Sequence, residues 1–208
     1  MIFEDRQEAG RLLAEKLSFL KGEKDLLVLA IPRGGVVVGH QVAQALDAPL
    51  DVYITRKIGA PYNPELAIGA VASDGTVLLD RSLASRVGAS ENYIAEQTER
   101  ERREIERRLA KYRGHRPPPE LKGKRVILVD DGIATGATME ATINALRKSG
   151  LKELILAIPV APKDTIERLR GKVDRLVCLH APEIFWAVGS FYLRFDQTSD
   201  EEVISLLS

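Results

Sequence analysis

Arg125-Val126-Ile127-Leu128-Val129-Asp130-Asp131-Gly132-Ile133-Ala134-Thr135-Gly136-Ala137-Thr138 decides the reading of the fold. Its apolar run, Val126 to Val129, shows no alternation and so predicts a strand buried on both faces, as in the interior of a parallel sheet. The run breaks at two carboxylates and a loop of small and hydroxylated residues, and from Ala137 the pattern turns helical. Strand, loop and helix start gather backbone N–H groups and the positive end of a helix dipole around one point, which suits a phosphate monoester. Asp130 and Asp131 repel a phosphate. The two hydroxyls of a ribose can donate to them, while its 5′-phosphate sits among the amides of 133–138.

Upstream, Asp25 to Ile31 reads as a second buried strand and runs into Pro32-Arg33-Gly34-Gly35, ahead of an apolar helix from Val36 to Leu46. Glycines let a backbone come close to a ligand, and an Arg beside a helix start again favours an anion, although an ordinary tight turn reads the same in isolation. Leu50 to Thr55 predicts a strand that ends in Arg56-Lys57. The segment 58–66, with Gly59, Pro61 and Pro64, predicts irregular structure, either a lid or a plain surface loop. Ala67 to Ala72 and Thr76 to Leu79, around Ser73-Asp74-Gly75, predict a β-hairpin. No Walker A loop occurs anywhere in the chain, which argues against an ordinary P-loop ATPase.

A hydrophobic strand, Asp-Asp-Gly, and Ala-Thr-Gly-Ala-Thr resemble the phosphoribosyl-pyrophosphate (PRPP) motif of the type I phosphoribosyltransferases, and in particular the uncharacterised predicted members of that family. The resemblance covers most of residues 25–160. It implies an α/β fold, a doubly wound, mainly parallel sheet with helices on both faces, plus a small hood subdomain. The implied reaction transfers phosphoribose from PRPP to a nitrogenous acceptor with release of pyrophosphate; the alternative is a non-catalytic PRPP-binding regulator on the same fold. In that reading Asp130 and Asp131 hold the ribose hydroxyls, and Ile133, Ala134, Thr135, Gly136, Ala137 and Thr138 hold the 5′-phosphate. Arg33, Gly34 and Gly35 form the pyrophosphate loop, where the family commonly holds a non-proline cis peptide, and Arg56 and Lys57 neutralise the departing pyrophosphate. Mg2+ is implied as cofactor, held mainly through PRPP and water rather than by direct protein ligands, with Asp130 and Asp131 as candidates for its water shell. Hypoxanthine-guanine enzymes place an Asp just before Thr-Gly, where this chain has Ala134. That departure argues against such an acceptor, and adenine- and orotate-type loops are closer.

Beyond the motif, Asp5 to Leu20 predicts an amphipathic helix capped by Asp5, with no residue that demands a chemical role. A long helix is predicted from Ser90 or Glu91 to about Arg113, whose interleaved charges, Glu99 to Glu104, pair on a solvated face. Ile94, Ile105 and Leu109 seat it on the body or on a second subunit, which leaves a homodimer open. Further β and α units follow at Leu154–Val160, Lys163–Arg170 and Val173–His180, the alternation of a parallel sheet with ligands at the strands' carboxyl ends. Phe185, Trp186 and Phe191 fall in the expected hood, 181–195 with the N-terminal segment, as acceptor-stacking rings or as packing and dimer contacts. His180 is a candidate for proton transfer or a structural residue.

Composition sets the outer bounds. The 208 residues suit one α/β domain with a small addition. Thirty basic residues balance thirty acidic ones, so no global field recruits nucleic acid or an anionic membrane. Cys178 is the only cysteine, among Leu176, Val177 and Leu179, which predicts an inert buried thiol and no internal disulfide. Glu4, Asp5 and Arg6 stand where a signal peptide needs an apolar core, and the expected location is cytoplasmic.

Overall fold

The computed structural model describes residues 1–208. The chain forms α1 (Arg6–Lys16), β1 (Leu26–Ala30), α2 (Gly34–Leu46), β2 (Leu50–Val52), β3 (Thr55–Ala60), β4 (Asn63–Ala72), β5 (Val77–Leu79), α3 (Arg81–Arg86), α4 (Glu91–Arg113), β6 (Arg125–Val129), α5 (Ala137–Arg147), β7 (Glu153–Val160), α6 (Lys163–Arg170), β8 (Arg175–His180) and α7 (Asp200–Leu207). Five strands make one parallel sheet in the order β2-β1-β6-β7-β8.

The period of two along each strand sorts the core into two layers. Val126 and Leu128 of β6, with Leu27 and Leu29 of β1, pack under Ile143 and Leu146 of α5 and Ile166 and Leu169 of α6. Their neighbours Ile127 and Val129 point the other way, onto Leu13 and Leu17 from the α1 side and Val38 and Val42 of α2. An apolar strand without alternation is therefore explained by helices on both faces. Removing one fully buried side chain from either layer, Leu146→Ala or Leu13→Ala, costs about 2–5 kcal/mol.

The expected irregular segment 58–66 is instead regular structure: β3 and β4 pair as an antiparallel hairpin, and β5 joins β4 to complete a three-stranded sheet. The breaking residues are absorbed by shifts of register at Ile58/Gly59 and Gly59/Ala60, and Tyr62 takes the turn at φ 63°. Pro61 stands at the turn and Pro64 near the start of β4, where a missing N–H does least harm. The long helix α4 lies where the charge pattern puts it. Ile94 and Ile105 pack with Ile58 and Ile68 of the hairpin and with Val203 of α7, so its apolar stripe is covered by the body of the same chain. Arg113 anchors its end through Asp51, a pair whose side chains are both nearly buried.

Both α3 and α7 lie outside any motif; each begins at a capping side chain, Asp80 and Ser199. The tail returns across the N-terminal segment, where Phe3 and Tyr192 form a parallel bridge and their rings lie 5.4 Å apart. No helix is long and apolar enough to cross a membrane.

Candidate functional site

β1 and β6 are neighbours in the sheet, with Ala30 opposite Val129, so the loops that leave their carboxyl ends lie side by side. The contact is very close. A Cβ on Gly34 would stand 2.0 Å from Oδ2 of Asp131, and one on Gly35 would stand 3.0 Å from the Cα of Asp130. These glycines are needed for that approach of one loop to the other, and neither has a positive φ. The non-proline cis peptide joins Pro32 to Arg33, one bond before Arg33–Gly34.

The two carboxylates differ. Asp130 accepts the Asp131 amide at 2.8 Å, and burial first, then the Asp131 charge, push its pKa well above the ordinary carboxylate range. Asp131 has a cationic partner: Arg6 Nε donates to its Oδ2 at 2.7 Å. Arg6 is the first residue of α1, so the helix that showed no chemical role in the sequence supplies the cation facing the acids. Tyr192 reaches the same residue, its hydroxyl donating to the Asp131 carbonyl at 2.6 Å.

After the acids, Ile133 turns inward; it is buried and its amide donates to the Val160 carbonyl at 3.0 Å. It is therefore withdrawn from the expected set of phosphate-facing amides. Those of Ala134, Thr135, Gly136, Ala137 and Thr138 donate to no other group of the chain. Their carbonyl neighbours are held elsewhere: Thr165 Oγ1 donates to the Ala134 carbonyl at 3.2 Å, and an Arg168 guanidinium N–H donates to the Thr135 carbonyl. With Gly136 at φ 78° ahead of α5, the loop presents N–H groups outward and keeps its oxygens away, which is the make-up of an anion nest.

Three cations stand around these loops, each tied to an acid. Arg56 Nε meets Oε2 of nearly buried Glu101 at 2.7 Å, Lys57 meets Glu65 at 2.8 Å, and Arg33 faces Asp200 at 3.8 Å. Arg56, Lys57 and Thr138 line one cavity of about 520 Å3, while Arg33 lines another, of about 440 Å3, with Lys111 and Asp200. The β3–α5 seam is fixed by Thr142, whose hydroxyl bonds that of Thr55 at 2.9 Å.

The tail meets the acid loop through Val188 and Tyr192. Val188 lies against Gly132, where a Cβ would be 2.5 Å from Cγ1, and Tyr192 bonds Asp131. Phe185 stacks on Phe191 at 5.2 Å, and Trp186 is 88% exposed. His180 faces the Met1 amino group at 3.3 Å and the Phe191 ring. Cys178 is a partly buried thiol whose Sγ donates to the His180 carbonyl, and burial pushes its pKa up. Arg6, Arg168, Val188 and Tyr192 carry no motif; only the fold brings them here.

A parallel sheet flanked by helices, with paired acids, a glycine loop and an open amide nest at its carboxyl edge, defines a doubly wound α/β protein. The model of the phosphoribosyl transferase domain matches residues 3–196, and the chain belongs to that family, on the type I phosphoribosyltransferase fold. A Mycobacterium tuberculosis (strain H37Rv) protein, provisionally named a phosphoribosyl transferase, is 42% identical over 206 residues, 99% of this chain and 46% of that one. The chain thus spans about half the length of that curated relative. The crystal structure of TT1426 from Thermus thermophilus is 42% identical, covers 100% of this chain and 98% of that one, and superposes with a TM-score of 0.88. A shorter stretch of 62 residues is 54% identical to the hypoxanthine/guanine phosphoribosyltransferase of Methanotorris igneus, over 28% of this chain and 34% of that one.

Proposed function

We propose that the protein transfers the phosphoribosyl group of PRPP to a nitrogenous acceptor and releases pyrophosphate. The observation that carries this reading is the amide nest of Ala134 to Thr138 immediately after two acids: an unpartnered set of donors for a 5′-phosphate beside acceptors for ribose hydroxyls. As the bond from the ribose C1 to the pyrophosphate oxygen breaks, positive charge grows on the sugar ring and negative charge on the leaving group. A bond from the acceptor nitrogen to C1 then completes the transfer. In this reading Asp130 and Asp131 hold the ring hydroxyls and offset the ring charge, while Arg33, Arg56 and Lys57 meet the pyrophosphate. Catalysis rests on positioning and on charge complementarity rather than on a protein nucleophile.

Mg2+ fits as a passenger of the substrate. Asp130 Oδ1 and Asp131 Oδ2 are already engaged, no cluster of three or more His, Cys, Asp or Glu is present, and an octahedral ion needs six oxygens. Asp130 and Asp131 would hold it through water, and the charge it would supply is that needed to neutralise the leaving pyrophosphate. The acceptor is a base or related nitrogen compound.

A second reading, PRPP binding without transfer, draws on the carboxylates that occupy Arg33, Arg56 and Lys57. Pyrophosphate release from PRPP with magnesium, across a panel of purines, pyrimidines and other nitrogenous acceptors, with calorimetric PRPP binding alongside, separates the two. Release with an acceptor supports the transferase, binding with no release from any acceptor supports the regulator, and no binding defeats both.

A further inference from the structure

We infer that Arg6 is a positioning residue for this site, one that clamps Asp131 in the orientation needed to take a ribose hydroxyl; the assignment rests on the PRPP reading above. Three supports hold its guanidinium. Nε donates to Asp131 Oδ2 at 2.7 Å, Nη1 donates to the Asp196 carbonyl at 2.7 Å, and the group lies 3.9 Å over the face of Phe195. At 12% and 15% exposure, the side chains of Arg6 and Asp131 are nearly out of water. Arg6 itself is placed by helix geometry: Asp5 caps α1 by accepting the Glu8 amide at 2.9 Å, which fixes where the first helical residue points.

The clamp occupies one carboxylate oxygen only. Arg6 holds Oδ2, which leaves Oδ1, on the carboxylate that also faces Asp130, as the oxygen to which a hydroxyl can donate without displacing Arg6. The same guanidinium stands 2.7 Å from where a Gly34 Cβ would be, so it touches the pyrophosphate loop, the signature acid and the tail at once. A buried ion pair adds little to folding on balance, because desolvation offsets attraction. Its placement on this particular acid is better explained by orientation. The planar fork matters as well, since a lysine ammonium carries rotatable donors and cannot hold two acceptors in the fork's fixed geometry.

The control is Arg175→Ala. Arg175 pairs with Glu153 at 2.7 Å at the amino ends of β7 and β8, the edge of the sheet opposite Asp131. Amide exchange in the ligand-free protein is the first readout, at Asp131, bonded to Asp130, and at Val36, bonded to the Arg33 carbonyl. Arg6→Ala speeds exchange at both and Arg175→Ala leaves them unchanged; equal effects of the two variants, or none from Arg6→Ala, overturn the role. The second readout is PRPP binding and turnover. Arg6→Ala raises Kd and KM for PRPP at least tenfold with a smaller fall in kcat, Arg6→Lys recovers part of the affinity, and Arg175→Ala stays within twofold. Full PRPP affinity in Arg6→Ala overturns the proposal. Failure of the unaltered protein to bind PRPP retires the transferase reading instead, and the exchange contrast still decides whether Arg6 orients Asp131.

Discussion

The acids at the sheet's carboxyl edge and the acids of α4 are chemically alike and held in opposite ways. On α4, Glu104 sits between Arg107 and Arg108 at 2.9 and 2.7 Å, and those two hydrogen bonds hold its pKa down at about 2. Glu99 is paired with Arg102 and Arg103 in the same one-turn manner. At the sheet edge Asp130 is pushed the other way by burial and by its neighbour Asp131, and the cation that offsets this, Arg6, is bonded to Asp131, 125 residues from it in sequence. Charge that only solubilises a helix is neutralised locally. At the sheet edge the charge is left partly uncompensated and is oriented by a residue remote in sequence, as the proposed ligand role requires.

The largest expected effect tests that division directly. Asp131→Ala lowers the rate of pyrophosphate release about a thousandfold, an effect of the size seen when a group that meets transition-state charge is lost, whereas Glu99→Ala stays within twofold. Comparable losses from both would erase the distinction. Next is Gly34→Ala: its Cβ meets Asp131 Oδ2, so PRPP binding weakens roughly a hundredfold through displaced geometry. Gly171→Ala, with open space around it and no positive φ, serves as the neutral comparison in the same calorimetry.

Stability separates the two regions by sign. The folded state raises the Asp130 pKa, so above that pKa the ionised carboxyl opposes folding, and the opposition fades as pH falls through it. Asp130→Asn is therefore expected to raise the thermal midpoint at pH 7 by about 2–4 °C, the shift that ~1 kcal/mol produces in a chain of this size, while turnover falls. A lowered midpoint would show that Asp130 is stabilised by its surroundings. Glu104 has the reverse linkage. Its depressed pKa adds stability that is fully present above the ordinary value of 4.5 and is lost as pH falls toward about 2. Glu104→Gln should remove only a few tenths of a kcal/mol per exposed pair, visible as a shallower acid limb in thermal melts between those pH values and as no change at pH 4.5 and above beyond that small loss.

The legible parts of the molecule are those whose physics is local. Val126 to Val129 reads as a two-sided strand because four neighbours suffice to show it, and Asp5, Ser90 and the Glu/Arg spacing of α4 declare their helices within one turn. The nest at Ala134 to Thr138 is legible for the same reason. Ile133 was not separable from it, since its amide is taken by Val160, in another strand. Gly59, Pro61 and Pro64 look like breakers until a partner strand with shifted register is known to absorb them. Arg6, Arg168 and Tyr192 lie 125, 33 and 61 residues from the atoms they hold, and no spacing announces such pairs. The aromatic tail is legible as a cluster, while its contacts with the acid loop, through Val188 and Tyr192, carry no pattern in the sequence.

The pairing of β1 with β6 has a kinetic side. Leu26 lies opposite Arg125, with β2, the whole three-stranded sheet and α4 formed from the chain between them. The units β6-α5-β7-α6-β8 join neighbours in sequence and can assemble early, whereas closing that long excursion costs roughly 4 kcal/mol of chain entropy before the central pair rewards it. Gly34 and Asp131 meet only when this closure is made. The proposed binding of PRPP should thus arrive with the slowest refolding phase, after most of the helix signal has already returned.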